Sequence, residues 1–478
     1  MAGIASSHSL IIMSKAIPPD HRGSYHDASL AAAMCSPESP SSAGQERRRP
    51  LVLLASTLSW PLSARLAIRF LECGCRVAAI CEQGHYLRYV DGIETYFPYR
   101  GIGSLGSLER AIRKSKPAMV IPCDDRVVWQ LHELYRQCPD LRSLIESSLG
   151  DASGFELITR RAALLEVARS IGISVPYTRH VNSEAEVSRW FAESGNAAVL
   201  KLDGTCSGHG VAIVRSAQEA TEAYRVLSTP KGLITACKRL LVNQDALAFW
   251  SWSRRSRWSL SLQQWIDGRP ANSMLACWKG EVVAMAAVEV LASEGPTGAA
   301  FMVRAIRDER MIRDAQKLAH KLQLNGFCGL DYVIEKSSHV PYLIEVNPRC
   351  TQLGHLPLAG GRDLAAALCE KLTGRINEAE SHSLEGRIVA FFPQVERLAT
   401  RGAISEGVYK DIPQGQPRLL SELMRPVREE RRWVSRLYHR FRPERRSEPV
   451  EFCSDAEEFS VVPDNQTPIG PASLSGGC

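Results

Sequence analysis

Two acidic residues and an asparagine that could share a metal ion lie in residues 329–349, GLDYVIEKSSHVPYLIEVNPR. Two apolar runs flank a short polar segment there, which predicts a β-hairpin. If the turn centres on Ser338, Asp331 faces Glu345 across the strands, and Asn347 projects to the same side as Glu345. Facing carboxylates repel each other unless a cation compensates, and ligands that are all oxygen suit Mg²⁺. The pattern predicts a metal site at one end of the sheet; the alternative is an ordinary hairpin whose acids reach water.

A lysine and a glycine-rich loop lie upstream, in the sequence AAVLKLDGTCSGHGVAIV. Lys201 ends an apolar strand just before the loop, which contains Gly204, Gly208 and Gly210. Glycine lets backbone N–H groups approach phosphate oxygens closely, and a lysine on the strand beneath adds a positive charge. Arg349, two residues beyond the hairpin asparagine, can neutralise a phosphate with two hydrogen bonds. The alternative for the glycine loop is a plain hairpin turn.

The residues before this loop are predicted to form a small α/β domain. Apolar runs at 51–56, 76–81 and 118–123 predict buried strands, and residues 107–116 predict a helix. Alternation of strands and helices implies a parallel sheet. The first turn lacks GxGxxG and the sequence contains no GxxxxGK[ST], which excludes a dinucleotide fingerprint and a P-loop.

Two aspartates, Asp124 and Asp125, follow the third of these strands. Ligands bind outside the carboxyl ends of the strands in open α/β sheets, so one of the aspartates could hold a substrate ammonium group. The interpretation that we favour is that one of them caps the following helix.

The order of these parts resembles that of the ATP-grasp superfamily of ligases over roughly residues 50–420, and the phrase IEVNPR resembles the metal-binding end of those enzymes. The resemblance is to the carboxylate–amine ligase type, in a bacterial-like branch. It implies an α/β N-terminal domain with a short parallel sheet, followed by an α+β two-subdomain ATP-grasp fold that clamps ATP. It also implies ATP, with Mg²⁺ or Mn²⁺, as the cofactors.

The resemblance implies a role for each matching residue. Asp331, Glu345 and Asn347 would hold the metal, and two catalytic arginines, Arg349 and Arg304, would face the transferred phosphate or the substrate carboxylate. Contacts with ATP would come from the first helix, the strand lysine, the glycine loop and the linker that meets adenine: Arg161, Lys201, Gly204, Ser207, Gly208, His209, Gly210, Gln263, Gln264, Trp265 and Ile266.

The sequence departs from the family pattern at four of these positions. Arg161 stands where the family usually has a lysine, which keeps the charge but changes the geometry. Ser207 and His209 stand where glycine and a basic residue are commoner. Gln264 replaces a frequent glutamate of the linker, which leaves the recognition of the ribose open.

The composition is that of a soluble globular chain with two or three domains: 478 residues, of which 45% are hydrophobic and 23% charged. Its 14 cysteines are scattered and form no CxxC pair, which is typical of reduced thiols in the cytoplasm. No apolar run reaches the roughly 18 residues of a membrane span. The net charge of +6 equals the excess of nine arginines over three glutamates in residues 425–446, so a basic body that binds nucleic acid is not indicated.

We expect the chain to be divided into five regions. They are a disordered segment (1–48), the α/β domain (49–150), the ATP-grasp domain (151–377), a C-terminal extension with a basic helix (378–446) and a disordered tail (447–478). Within the ATP-grasp domain, the glycine-loop subdomain would span about 155–240 and the metal-hairpin subdomain about 258–377. A segment rich in tryptophan and arginine, 249–259, is either an insertion that faces the substrate or a solvated turn.

The sequence therefore predicts a cytoplasmic, ATP-dependent ligase. ATP would phosphorylate a carboxylate to an acyl phosphate, and an amine would then form an amide and leave ADP and phosphate. The partners would be small-molecule acids and amines, with no nucleic acid and no membrane span, and the protein could form a homodimer. The alternatives are a biotin-carboxylase-like enzyme that activates bicarbonate and a non-catalytic regulatory protein that binds ATP.

Overall fold

A parallel sheet of four short strands begins the part of the chain that the structure describes. The strands are β1 (Leu51–Ala55), β2 (Arg76–Cys81), β3 (Thr95–Pro98) and β4 (Met119–Pro122), in the order β3-β2-β1-β4. The helices around it are α1 (Pro61–Glu72), α2 (Ser104–Ser115), α3 (Asp125–Gln137) and α4 (Arg142–Leu149). The predicted parallel sheet is confirmed, and the helix expected at 107–116 begins three residues earlier.

The structure is a computed structural model, and it describes residues 49–101, 103–202, 210–229, 259–294, 298–356, 363–375, 384, 386–399, 407–425 and 450–452. The chain divides into two units, Met1–Arg47 and Arg48–Cys478, and the described residues belong to the second. The predicted disordered N-terminal segment, the segment 249–258 and the basic helix from residue 426 onward lie outside the described residues. So does nearly all of the predicted tail.

Strands β1, β2 and β4 of the parallel sheet are mostly apolar on both faces because helices or another sheet cover both faces. Val52 and Leu54 of β1 lie in one buried cluster with Phe70 of α1. Leu53 and Ala55 of the same strand lie in a second cluster, with residues of α2 and α3. Alternate side chains of a strand point to opposite faces, so β1 contributes to two cores at once.

A small antiparallel sheet follows. Its strands are β5 (Thr178–Val181), β6 (Ala198–Leu202), β7 (Val211–Val214) and β8 (Leu260–Gln264), in the order β5-β8-β6-β7. The helices of this region are α5 (Phe155–Ile158), α6 (Arg161–Ser170), α7 (Glu184–Ser194) and α8 (Ala217–Ser228). Trp190 of α7 and Ala220 of α8 pack on Leu200 and Leu262 of the sheet, so these two helices and the sheet form one core.

The largest sheet among the described residues has eight strands. They are β9 (Gly268–Trp278), β10 (Glu281–Glu294), β11 (Ala300–Ile306), β12 (Gly326–Glu335), β13 (Pro341–Asn347), β14 (Ile388–Phe391), β15 (Tyr409–Asp411) and β16 (Val450–Phe452). The order is β13-β12-β9-β10-β11-β14-β15, and β16 pairs with β10. The remaining helices are α9 (Glu309–Leu322), α10 (Leu364–Thr373), α11 (Gln394–Ala399) and α12 (Pro417–Leu423).

The large sheet and the parallel sheet share a core. Phe70 of α1 packs edge-on against Phe327 of β12, with 6.1 Å between the ring centroids. Helix α10 contributes Leu364 and Leu368 to the same cluster, while α9 covers the other face of the large sheet. The two parts are therefore packed against each other, and side chains of one can reach a site on the other.

The described part of the predicted C-terminal extension is built into the large sheet. Strands β14 and β15 lie at its edge, and Asp411 at the end of β15 pairs with Arg65 at 3.0 Å and with His355 at 2.9 Å. All three side chains are buried. Through these contacts, Asp411 of the extension packs against α1 and against the loop after the hairpin.

An α/β domain with a short parallel sheet, followed by two α+β parts whose sheets are antiparallel except for the pair β14 and β15, confirms the predicted fold class. In the part of the chain that the structure describes, no helix has the length and apolar character to cross a membrane.

Buried His132 sets one pH dependence of stability. It stacks on Phe155 with 4.3 Å between ring centroids, and burial together with nearby Arg136 lowers its pKa to about 4. Because the folded pKa lies below the unfolded value near 6.5, its stabilising contribution is complete above pH 6.5 and is lost as pH falls toward 4. Relative to His132→Phe, the wild type should lose up to about 1.4 kcal/mol of unfolding free energy per pH unit in that window. Denaturant unfolding at stepped pH measures this, and a constant difference between the two proteins would contradict it.

Candidate functional site

The predicted hairpin is present, and it places the two acids face to face. Strands β12 and β13 pair in antiparallel fashion, with Asp331 opposite Glu345 and Gly329 opposite Asn347. The register shifts by one residue just after Asp331. Such a bulge re-aims the side chains beside it, and bulges are common next to active sites. The predicted pairing of Asp331 with Glu345 is confirmed.

Two asparagine amides hold Asp331. Its Oδ1 accepts a hydrogen bond from Nδ2 of Asn272 at 2.7 Å, and its Oδ2 accepts one from Nδ2 of Asn347 at 2.9 Å. Burial and the facing carboxylate of Glu345 nevertheless raise the pKa of Asp331 to about 6. The repulsion expected from the sequence is therefore present, and it favours the neutral form of Asp331 unless a cation compensates.

Glu345 is stabilised in its charged form. Burial opposes its ionisation, but Arg161, Lys201 and Arg349 outweigh burial and lower the pKa of Glu345. Nη2 of Arg161 donates to Oε1 of Glu345 at 2.7 Å. The Arg161 side chain is only 11% exposed, so water screens this ion pair weakly. Arg161 begins α6, and the helix therefore places the first of the cations at the hairpin.

The donor set of the hairpin fits a hard divalent cation such as Mg²⁺. It offers two carboxylates, of Asp331 and Glu345, and the amide oxygen of Asn347. Among the described residues, no three His, Cys, Asp or Glu side chains converge at one point, so the asparagine oxygen would have to complete this set. Asn347 donates from Nδ2 to Asp331 and accepts at Oδ1 from Arg349, so its Oδ1 would share its two lone pairs between Arg349 and a metal.

Arg349 links the hairpin to the N-terminal domain. Its Nε donates to Oδ1 of Asp125 at 2.8 Å, and its Nη2 donates to Oδ1 of Asn347 at 3.3 Å. Although burial favours the neutral form, Asp125 raises the pKa of Arg349 above its ordinary value, so the guanidinium stays charged. The neighbouring Asp124 caps α3 by accepting from the backbone N–H of Val127 at 3.1 Å. The interpretation that one of the two aspartates is a helix cap is confirmed for Asp124. Both aspartates line the cavity described below, and Asp125 is the one that pairs with Arg349.

Lys201 lies on β6, as predicted, and is only 5% exposed. It lies opposite Val211 of β7 and Ser261 of β8, and its charge is among those that lower the pKa of Glu345. Gly210 ends the glycine loop with a φ of +81°, in the left-handed region that favours glycine. The other loop positions that were singled out lie outside the described residues: Gly204, Ser207, Gly208 and His209.

The predicted adenine linker, Gln263–Ile266, leaves the end of β8 and enters the large sheet. The backbone N–H of Gln264 donates to the carbonyl of Tyr177 at 2.8 Å, and that of Trp265 donates to the carbonyl of Ala197 at 3.1 Å. These two N–H groups are therefore engaged within the protein and do not offer donors to a base. Trp265 is 40% exposed, so its ring is open to a ligand.

One cavity of about 500 Å³ joins these groups. Its size suits a small-molecule ligand. The residues that line it include the hairpin set, the two arginines, the strand lysine and the linker: Asp331, Glu345, Asn347, Arg161, Arg349, Lys201, Gln263, Gln264, Trp265 and Ile266. The structure thus brings together residues from distant segments, and their individual roles stay predictions.

Arg304 lies elsewhere. It is on β11, opposite Glu289 of β10, and its Nη1 is 3.7 Å from a carboxylate oxygen of Glu289. Arg304 is not among the described residues that line the cavity. The position of Arg304 does not favour the predicted catalytic role, which stays a prediction.

Sequence reasoning missed Asn272, which holds one oxygen of Asp331. Asn272 lies on β9, whose sequence GRPANSMLACW includes glycine, proline and polar residues and gives no clear strand pattern. The one available signal is a polar side chain in a segment that becomes apolar, and that signal is weak. Asn272 lies opposite Asp331 only because β9 is the partner of β12 in the sheet.

One protein-family model matches part of this chain. The profile of the ATP-grasp domain matches residues 243–352, which contain the linker and the metal-type hairpin. A comparison with curated protein sequences finds no match.

Several solved structures share the fold at low sequence identity. One is the biotin carboxylase domain dimer of 2-oxoglutarate carboxylase from Hydrogenobacter thermophilus, in complex with MgADP, ADP and bicarbonate, with a TM-score of 0.51, 15% identity, and coverage of 71% of this chain and 73% of that chain. Another is N5-carboxyaminoimidazole synthetase from Staphylococcus aureus complexed with ADP, with a TM-score of 0.51, 11% identity, and coverage of 74% and 87%. A third is N5-carboxyaminoimidazole synthase from Aspergillus clavatus with ADP and 5-aminoimidazole ribonucleotide, with a TM-score of 0.51, 14% identity, and coverage of 70% and 80%.

Proposed function

The chain has the ATP-grasp fold, and from this premise we propose that it is an ATP-dependent ligase. It activates a carboxylate as an acyl phosphate and joins the acyl group to an amine, with release of ADP and phosphate. ATP and Mg²⁺ are its cofactors, and small-molecule acids and amines are its substrates.

One observation carries the proposal: the acidic pair of the hairpin and three cations converge on one cavity. Asp331 and Glu345 face each other, while Arg161, Lys201 and Arg349 all act on Glu345. Phosphoryl transfer depends mainly on positioning and on neutralised charge, and it needs no covalent nucleophile from the protein. The residue types at this site fit that requirement.

Each charged group has a position from which it can act. Buried Lys201 projects from a strand, so its charge does not depend on the position of the glycine loop. Arg161 keeps Glu345 ionised and ready to bind a cation. Bound Mg²⁺ would neutralise phosphate oxygens and act as a Lewis acid there. Arg349 lies between the hairpin and the N-terminal domain, where it can orient a carboxylate toward the γ-phosphate.

The experiment that tests the proposal measures ADP, AMP and phosphate from Mg-ATP across a panel of acids. Hydroxylamine serves as the amine because it converts an acyl phosphate into a stable hydroxamate. We expect ADP and hydroxamate to form together, in equal amounts, only when an acid is present, and we expect AMP at background level. Formation of AMP and pyrophosphate would contradict the proposed reaction.

Bicarbonate is the acid that a second candidate function requires, because one of the structures with this fold binds bicarbonate with MgADP. The same panel distinguishes this function. ADP formation that depends on bicarbonate alone would favour a carboxylating enzyme. ATP binding without ADP formation for every acid and for bicarbonate would favour a nucleotide-binding regulatory protein.

A further inference from the structure

The cavity continues from the hairpin to the carboxyl ends of β1 and β4 in the parallel sheet. In the order β3-β2-β1-β4, the chain moves outward from β1 to β2 and β3 on one side, then crosses to β4 on the other. Open α/β sheets bind ligands at such a switch point, outside the carboxyl ends of the strands. Leu58 and Trp60 follow β1, Cys123 and Asp125 follow β4, and all four line the cavity.

Two helices present apolar side chains to this end of the cavity. Leu62 and Leu66 lie one turn apart on α1, and Val128 and Trp129 lie one turn after Asp125 on α3. All four apolar residues line the cavity. We call them the apolar wall. Leu62, Leu66 and Val128 are at most 3% exposed, so it is half-buried Trp129 that presents apolar surface which a ligand can remove from water. A wall of this kind favours an apolar group on the ligand.

An ion pair lies where the apolar wall meets the hairpin. Asp125 and Arg349 are 2.8 Å apart, and their side chains are 32% and 19% exposed. The neighbouring Asp124 is buried, and its oxygens accept from Thr57 and Val127. Asp125 and Arg349 together are neutral, so a zwitterion can pair its carboxylate with Arg349 and its ammonium with Asp125 and leave no buried charge without a partner.

We propose that the carboxylate substrate is an α-amino acid with an apolar side chain. Arg349 binds its carboxylate, Asp125 binds its ammonium group, and its side chain lies on the apolar wall. This inference rests on the proposed function and names the acid that the ligase activates.

The placement also fits the chemistry of activation. Because Arg349 contacts Asn347 of the hairpin, it holds the carboxylate beside the proposed metal ligands. A carboxylate oxygen forms a bond to the γ-phosphorus of ATP while the bond from that phosphorus to the ADP oxygen breaks. The ammonium group remains on Asp125 and takes no part in the transfer.

The test uses the full-length protein with Mg-ATP and hydroxylamine. Leucine and phenylalanine are compared with 4-methylpentanoate and 3-phenylpropanoate, which lack the ammonium group, and with glycine and aspartate, which lack the apolar side chain. We expect leucine or phenylalanine to exceed both comparison sets at least tenfold in kcat/KM for hydroxamate formation.

A variant of Asp125 tests whether this side chain binds the ammonium group of the substrate. A hydrogen bond to a charged group changes an affinity by about ten- to a hundredfold. Asp125→Asn should therefore lower the ratio of kcat/KM for phenylalanine to kcat/KM for 3-phenylpropanoate by about the same factor. The matched control is Asp140→Asn, because Asp140 is an exposed aspartate of the same domain that pairs with Arg113 outside the cavity. The control should keep the wild-type ratio.

The outcomes distinguish this inference from the proposed function. Hydroxamate from acids without a preference for the ammonium group or for an apolar side chain overturns the inference and leaves the ligase proposal standing. An unchanged ratio in a folded Asp125→Asn protein does the same. The wild-type panel decides the matter if that variant does not fold. ATP binding with no ADP from any acid overturns the ligase proposal itself.

Discussion

Replacing Glu345 with glutamine should lower Mg²⁺-dependent ligase turnover by at least about a thousandfold, which corresponds to roughly 4 kcal/mol of transition-state stabilisation. Glutamine keeps the size of the side chain and can still accept the hydrogen bond that Arg161 donates to Glu345. It removes one of the two facing negative charges, and with it a ligand of the metal. The pKa of Asp331 should also fall, because the carboxylate that faces it is gone. Initial rates of ADP formation with saturating acid, measured over a range of Mg²⁺ concentrations, give the effect.

The control for this variant is Glu335→Gln, which makes the same change at the end of β12 next to the turn. Glu335 lies at the turn of the hairpin, where it accepts a hydrogen bond from Ser338, and it does not line the cavity. Both variants should unfold at temperatures close to that of the wild type. If Glu345→Gln turns over at the wild-type rate, the hairpin is not the metal site.

The hairpin could be predicted from the sequence because its geometry is local. A strand period of two predicts the antiparallel hairpin from residues 329–349 alone. The pairs nearest the turn, such as Tyr332 with Leu343, are one residue out of step with the acids, so Asp331 faces Glu345 only because the bulge after Asp331 shifts the register. The position of Lys201 near the end of a strand could be predicted for the same reason. The strand pattern also indicated the parallel sheet, because fully buried parallel strands are apolar along their whole length.

The convergence of the site could not be predicted, because it depends on packing between distant segments. Arg161 and Glu345 are 184 residues apart, and Arg349 and Asp125 are 224 apart. A sequence motif describes the chemical types of these residues but not the contacts between helices and sheets that join them. Strand β9 was missed because its polar residues and proline hide the pattern, although two neighbouring strands supply its hydrogen bonds. The packing of the C-terminal extension against α1 could not be predicted, because no local signal shows that Asp411 pairs with Arg65.

Replacing Lys201 with methionine should lower kcat/KM for ATP by about a hundred- to a thousandfold. The loss in ATP affinity alone should be about ten- to a hundredfold, because a hydrogen bond to a charged group contributes roughly 1.5–3 kcal/mol. Methionine suits the test because Lys201 is buried beside apolar residues of the cavity lining, Val199 and Val211, and an unbranched apolar side chain can fill the same space. Calorimetry with ATP and steady-state kinetics measure the two effects separately.

Two further variants show that the charge at this position, held by this strand, is responsible. Lys201→Arg should recover only part of the affinity, because guanidinium is planar and larger than ammonium, and the side chain is closely surrounded on β6. Lys336→Met removes an exposed lysine from the hairpin turn, outside the cavity, and should bind ATP as the wild type does. If Lys201→Met keeps wild-type affinity, the glycine loop beside it is a structural turn and ATP binds elsewhere. A loss of affinity in Lys201→Met that Lys201→Arg restores in part, with Lys336→Met unaffected, ties ATP to the cavity between β6 and the hairpin.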